Sequence, residues 1–334
     1  MPKGYIPLAV ARASQAEALA KAITRITEDV RLLQSRGALQ GPGPIFLGIG
    51  ASFAASAAAV WTLRSRNIHG WRLNAGEHPL PFPHTPHPLI GVSQSGKSSE
   101  TLAVLNTVEQ EKRFSVVNAV SSPIEAISAV NISLGNIPDS YASTIGYTAT
   151  VAALGMISEA WDGGVIDDTW TDLSDAFRAV ETVLSSRIST LIAPMQEAQY
   201  VDCVGAAPST GSAEVGALLL REIARIPSTG MSTRQYLHGA MESAGRGVHI
   251  IFGEERELQL AQKLARAGHD VILVSPLDVA EESHLAHVAI PSLTPAQRPI
   301  VEALVMQTIA VETAIARGLD PDSFVFENND TKVA

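Results

Sequence analysis

Gly91-Val92-Ser93-Gln94-Ser95-Gly96-Lys97-Ser98-Ser99-Glu100-Thr101 is the stretch on which the reading of this chain turns. An apolar run beginning at Leu89 enters it and helix-forming residues leave it, so it reads as a strand-to-helix turn. Ser93, Ser95 and Ser98 crowd the turn, Gln94 adds an amide, and Thr101 lies one turn into the helix. A helix start offers free backbone N–H groups and the positive end of the dipole, which suits an anion. Gly96 has no Cβ, so the backbone there can come close to a bound group. Three hydroxyls and several N–H groups can therefore converge on one phosphate monoester. A single serine would be read as a helix cap, as Ser98 or Ser99 alone would be. The cluster favours a ligand.

The same residues, Gly91 to Ser98, also satisfy the pattern G-x-x-x-x-G-K-S/T of nucleotide triphosphatases. That chemistry needs a second apolar strand ending in Asp to hold Mg²⁺ beside the loop serine. The strands after Lys97 end at Asn118 and Gly135, and Asp139 follows a proline in a loop. The corresponding turn later in the chain, Gly253-Glu254-Glu255, would repel a polyphosphate. A phosphate monoester other than a nucleotide triphosphate is the better reading.

Working outward, strand-like apolar runs alternate with helical patterns, as in parallel sheets with crossover helices. The order of events occurs twice, about 155 residues apart. A strand from Ile45 runs into Gly50-Ala51-Ser52 and a helix to about Arg64; a strand from Tyr200 runs into Gly205-Ala206 and a helix to about Arg225. The run 114–121 answers 270–276, and 129–134 answers 286–291. Long helical stretches, 144–161 and 299–317, close the two copies. The expected organisation is α/β: a helical segment over 1–36, a first domain over 37–165 carrying the serine loop, a helical connector over 166–198, and a second domain with a tail over 199–334. Prolines 79, 81, 83, 86 and 88 make a stiff extended passage into the strand Leu89–Ser93.

The 334 residues carry a net charge of -10, which argues against a nucleic-acid surface but leaves room for a small anionic ligand. The single cysteine, Cys203, excludes an intramolecular disulfide and a cysteine-rich zinc site, and its apolar setting predicts a buried small hydrophobe. No signal peptide and no apolar run long enough to span a bilayer are recognised, so a cytoplasmic location and no membrane partner are expected. His284 and His287 are spaced i, i+3 but are expected on a loop-to-strand passage. Neither a metal nor a cofactor is called for.

Ser93-Gln94-Ser95-Gly96-Lys97-Ser98-Ser99-Glu100-Thr101, with Gly50-Ala51-Ser52, Ala75-Gly76-Glu77, Ala142-Ser143-Thr144, Ala217–Ile223 and His238-Gly239, resembles the sugar isomerase (SIS) family in its double-domain form. The resemblance extends from about residue 35 onward. It implies two tandem SIS domains, each a parallel sheet flanked by helices (a flavodoxin-like three-layer sandwich), in a homodimer with the active site between copies and subunits. It further implies that Ser52, Ser93, Gln94, Ser95 and Ser98 hold the phosphosugar, with Thr101 and Ser143 beside them. Glu222 matches the base that moves a proton between C1 and C2. His238 matches the ring-opening histidine, supplied from the partner subunit, and Lys332 matches a C-terminal lysine that reaches the site.

The chemistry is sound for these residue types. A carboxylate tuned toward neutrality can carry hydrogen between adjacent carbons, and a histidine has the right range for ring opening. The plainer reading of Glu222 is a solvated carboxylate paired with Arg225 at i+3. Departures from the family are Leu219, where a lysine is usual, and Lys97, where a small or acidic residue is usual. The expected activity is isomerisation with deamination of an aminosugar 6-phosphate. The alternatives are a fructosamine-6-phosphate deglycase, a ketose/aldose phosphate isomerase or a non-enzymatic sugar-phosphate sensor. With no glutaminase region ahead of residue 35, a glutamine-fed aminotransferase is not expected.

Overall fold

The apolar runs become strands whose chain returns, mostly through helices, to the same side of the sheet, which makes neighbouring strands parallel. The computed structural model describes residues 4–326 and 331–333. The chain divides into two compact units. One comprises residues 4–174 with 295–297, 325–326 and 331–333; the other comprises 175–294 and 298–324.

In the first unit, α1 (Leu8–Ala13) and α2 (Gln15–Ser35) precede β1 (Ile45–Gly48) and α3 (Ala51–Ser65). Then come β2 (Trp71–Asn74), β3 (Leu89–Ser93), α4 (Ser99–Leu105) and β4 (Arg113–Val117). The unit continues with α5 (Pro123–Ile127), β5 (Val130–Ser133) and α6 (Ile145–Ala160). The strands lie in the order β2-β1-β3-β4-β5, all parallel, with Leu47 opposite both Leu73 and Gly91. Ile45, Leu47, Leu89, Leu105, Val117 and Ile124 build a core on one face of the sheet. On α6 every residue is buried, against α2 and α3 among others. Small residues permit this close packing: a Cβ at Gly155 would stand 3.1 Å from the Trp170 ring.

In sequence, α7 (Leu173–Ile192) leads to the second unit's elements. These are β6 (Val201–Gly205), α8 (Thr210–Glu222), β7 (Ser228–Ser232), α9 (Thr233–Leu237) and β8 (Val248–Phe252). They are followed by α10 (Glu255–Arg266), β9 (Asp270–Ser275), β10 (Leu285–Ala289) and α11 (Arg298–Ala316). The sheet order is β10-β9-β8-β6-β7, again all parallel. Counted within its own unit this is 5-4-3-1-2, the first sheet's order read from the other side. Both sheets have the flavodoxin-like arrangement, whose direction of winding reverses between the first and third strands.

The expected α/β class with two parallel sheets is present, and Cys203 is a buried residue within β6. Several expectations need correcting. The run expected to continue to Ser121 ends at Val117, because Asn118 turns its side chain to exchange hydrogen bonds with the backbone of Ile137. The helix expected to reach Arg225 ends at Glu222, with Arg225 at a positive φ of 55°. The helical segment expected over 1–36 holds two helices, α1 and α2, which meet at Ser14. Finally, α11 is long and apolar enough to cross a membrane by length and composition, contrary to the expectation of none. It is largely buried within the protein, as a core helix is.

Candidate functional site

The winding reversal of the first sheet falls between β1 and β3, where parallel sheets leave a crevice at the strands' carboxyl ends. The serine loop leaves β3 at this point and the Gly50-Ala51-Ser52 turn leaves β1 beside it. The β1 turn folds back tightly: a Cβ on Gly48 would lie 2.9 Å from Ser52 Cβ. Gly96 has φ +62°, and a Cβ there would lie 2.1 Å from Ser122 Oγ, so only glycine fits. The loop is further held by Asn118 and Ala119, whose N–H groups both donate to Gln94 O, and by Ile124 N donating to Gly96 O.

Side-chain donors at this edge are left over. Among the described residues, the hydroxyls of Ser52 and Ser93 and the amide of Gln94 have no hydrogen-bond partner. Ser95 Oγ accepts a long bond of 3.4 Å from Lys97 N. Ser98 is the N-cap residue of α4, yet its hydroxyl makes no capping bond. It donates to Glu100 Oε2 at 3.2 Å and accepts from Thr101 Oγ1 at 3.1 Å. The plain capping role for these serines is therefore absent.

Ser143 stands at the start of α6, half-buried, and donates to Asp139 Oδ2 at 2.8 Å. A Cβ on Gly146 would lie 2.6 Å from Asp139 Oδ2, 2.9 Å from Ser143 Oγ and 3.0 Å from Gln94 Cγ. The structure thus brings Gln94, Ser143 and Asp139 around one backbone position. Sequence reasoning missed Asp139 as part of this edge. A proline-aspartate followed a few residues later by Ser-Thr and a helix was the available signal of a cap.

The tail also reaches the loop. Lys332 forms an antiparallel bridge with Ser98, Ser99 N donates to Thr331 O at 3.2 Å, and Val333 N donates to Lys97 O at 3.0 Å. Lys332 Nζ turns to Tyr5, donating to its hydroxyl at 3.1 Å and lying 5.7 and 5.9 Å from the Tyr5 and Tyr141 ring centres.

Within the second unit, Glu222 is the last residue of α8 and is half-buried. Burial pushes its carboxyl from 4.5 up to about 7, and the negative end of the helix dipole acts in the same direction. The alternative of a pair with Arg225 fails, because Arg225 Nη2 donates to Ser323 O. Among the described residues nothing hydrogen-bonds the Glu222 carboxylate. His238 is exposed at the end of α9, its N–H donating to Gln235 O. Leu219 is buried.

The second sheet has its own reversal, between β6 and β8, but carboxylates occupy it. Buried Glu302 accepts from Ser209 Oγ at 2.8 Å and Ser212 Oγ at 2.5 Å, and Glu254 pairs with Arg298. Among the described residues, the serines at this second reversal are committed to Glu302, whereas Ser52 and Ser93 at the first unit's edge are not committed. His284 is bonded to Asp270 just before β10 and His287 lies in that strand, on the expected loop-to-strand passage. A cavity of about 520 Å³ between α2 and the loop after β5 is lined by Lys21 and Arg25. Each already has an acidic partner, Glu17 and Asp29, and the cavity holds none of the groups above.

No family model matches the chain. Over 252 residues it is 29% identical to the glutamine–fructose-6-phosphate aminotransferase (isomerizing) of Brucella abortus, a stretch covering 69% of this chain and 42% of that protein. The chain is homologous to part of these aminotransferases. It spans less than half the length of the curated relatives it matches. The C-terminal domain of glucosamine-fructose-6-phosphate aminotransferase from Francisella tularensis superposes with a TM-score of 0.82 at 17% identity, covering 96% of this chain and 98% of that one. Tagatose-6-phosphate ketose/aldose isomerase from Escherichia coli gives 0.77 at 18% identity, covering 95% of each. Glucosamine-6-phosphate deaminase from Thermotoga maritima gives 0.68 at 16%, covering 92% and 96%. The chain shares its fold with these proteins. Among the described residues, the hydroxyls of Ser52 and Ser93 and the amide of Gln94 stand without partners at the reversal of the first sheet.

Proposed function

We propose that this chain is a phosphosugar isomerase acting on an aminosugar 6-phosphate, with isomerisation coupled to loss of ammonia. The serine loop with Ser52, Ser93, Gln94, Ser95, Ser98 and Thr101 binds the phosphosugar, its backbone and hydroxyls taking the phosphate. His238, supplied by a second copy of the chain, opens the sugar ring to the aldehyde. Glu222 removes the proton at C2 and returns it at C1. The resulting imine at C2 is hydrolysed by water to the ketone and ammonia. The reading carries a homodimer and a cytoplasmic location with it.

The observation that carries this reading is Glu222. It is a helix-terminal carboxylate with no partner among the described residues, held by burial at about 7, where a group can both take and return a proton near neutral pH. The experiment is a thermal-shift panel of hexose, hexosamine and fructosamine 6-phosphates, followed by ammonia and amine assays on the ligands that bind. Stabilisation by hexosamine 6-phosphate with release of ammonia is expected. Stabilisation without turnover of any ligand would reject the enzyme in favour of a sensor.

A second reading, cleavage of a fructosamine 6-phosphate to sugar phosphate and amine, is favoured by buried Leu219 in place of the family's lysine. Release of an amino acid instead of ammonia separates the two.

A further inference from the structure

We propose that buried His249, with Asp202 and Tyr236, is a positioning hub that fixes the segment carrying His238 by tying down the chain on both sides of it. This rests on the phosphosugar reading, in which His238 opens the ring, and deepens it. The helix α9 is too short to hold its shape alone, and Gly239 at φ +137° ends it immediately after His238. The chain from Gly239 to Gly245 is largely exposed. Leu237, Ala240, Met241 and Ala244 rest on the core of the second unit. Apolar contacts of that kind hold a segment down without fixing its register, because they are non-directional. Hydrogen bonds supply the register, and the groups that make them gather round one imidazole.

His249 lies in β8 with no exposed surface, and Tyr236 and Asp202 are buried beside it. On the near side of His238, Tyr236 Oη stands 3.1 Å from His249 Nδ1, so hydroxyl and ring share one proton. Asp202 Oδ2 lies 3.5 Å from the same nitrogen, and Asp202 Oδ1 accepts from Thr229 Oγ1 at 2.6 Å. On the far side, Tyr200 Oη donates to Ser243 O at 2.9 Å and accepts from Gly245 N, while His269 Nδ1 donates to Gly245 O at 3.1 Å. The Tyr200 and His269 rings both meet His249 nearly edge-on, with centres 6.4 and 5.6 Å away. The chain is pressed onto this cluster at Gly247, where a Cβ would lie 2.3 Å from Tyr200 Cε2. Burying a phenol, an imidazole and a carboxylate together costs more desolvation than an apolar trio would. What the polar trio adds is direction. Since His249 Nε2 has no hydrogen-bond partner among the described residues, its hold on α9 runs through Nδ1.

The test is steady-state kinetics on glucosamine 6-phosphate with the full chain and the variants Y236F, H249F, H249N and Y236F/H249F. C203A is the control for lost stability alone, because Cys203 is buried in β6 but stands outside the hub. Y236F and H249F are each expected to lower kcat about tenfold with KM within about twofold, since the serine loop is untouched. The double variant is expected to lose no more than either, because the same bond is removed in all three. H249N keeps a polar atom near the place of Nδ1 and is expected to recover kcat to within about threefold of wild type. C203A is expected to keep kcat. Amide exchange over residues 238–245 is expected to quicken at least about tenfold in Y236F and H249F. Wild-type kcat in both single variants, additive losses in the double variant, or the same loss in H249N as in H249F overturns the proposal. A wild-type chain that turns over no sugar 6-phosphate overturns the phosphosugar reading instead. Amide exchange then decides the hub by itself, and unchanged exchange in Y236F and H249F rejects it.

Discussion

At the scale of single residues, chemistry here depends on which side chains are left without partners inside the chain. Glu222 has none among the described residues, and burial holds its carboxyl at about 7 instead of 4.5. The folded chain therefore binds more protons than the unfolded chain between these values, so this group's contribution to stability falls as pH rises across that window. Catalysis runs the opposite way, because a base must be ionised: turnover is expected to rise with pH through about 7. Glu222→Gln is expected to lower kcat by at least about a hundredfold and to flatten the stability slope in that window. Steady-state kinetics and thermal melts at several pH values measure both. An unchanged kcat would remove Glu222 from the mechanism. The residue itself was legible in the sequence through its motif, but its freedom from Arg225 was not. That depended on Arg225 adopting a positive φ and turning to Ser323.

At the scale of elements, the strong periodic and apolar runs appear as strands and helices where the sequence places them: β1, β3, β4, β6 and β9, with α3, α6 and α11. Among the elements the sequence reading did not name is β7, whose Ser228-Thr229-Gly230-Met231-Ser232 lacks a strand's composition. It is an edge strand, and Gly230 is there because a Cβ would lie 2.5 Å from the Glu214 Cα of α8. Packing made the strand, against its propensity. The tail is the other such case. Nothing in Thr331-Lys332-Val333 announces a strand, yet it pairs with the serine loop and takes the N–H of Ser99 at the start of α4. Removing the residues after Phe326 deletes that acceptor. The Ser99 amide is then expected to exchange with solvent at least about tenfold faster, since its protection comes from this bond. Unchanged exchange in the truncated chain would show that the tail does not hold the loop in solution.

At the scale of the whole molecule, the two sheets share one strand order but differ in what fills the reversal point. In the second unit, Glu302 lies wholly buried on the Ser209 and Ser212 hydroxyls, and burial raises its carboxyl above the usual range. Glu159, accepting from Trp170 Nε1 and Asp167 N in the first unit, is raised for the same reason. With Glu222, these groups favour the folded state when protonated, so they make the chain more stable at pH 5 than at pH 8. Glu302→Gln keeps an acceptor for a serine and removes the buried charge. It is expected to raise the melting temperature at pH 8 more than at pH 5. An equal shift at both values would mean that the Glu302 charge is not what costs stability.

The sequence by itself determined the alternation of strands and helices, the twofold recurrence and the place of the serine loop. Each is written in local periodicity, glycine turns and residue type, which need no distant contact to be recognised. Only the tertiary structure decided which hydroxyls remain available. Whether Ser93, Ser143, Ser209 or Ser212 is spent or left over depends on carboxylates and backbone groups several to ninety-odd residues away, as the Ser212–Glu302 separation of 90 residues shows. Hydrogen-bond partners are chosen by proximity in space, and the chain order does not record it.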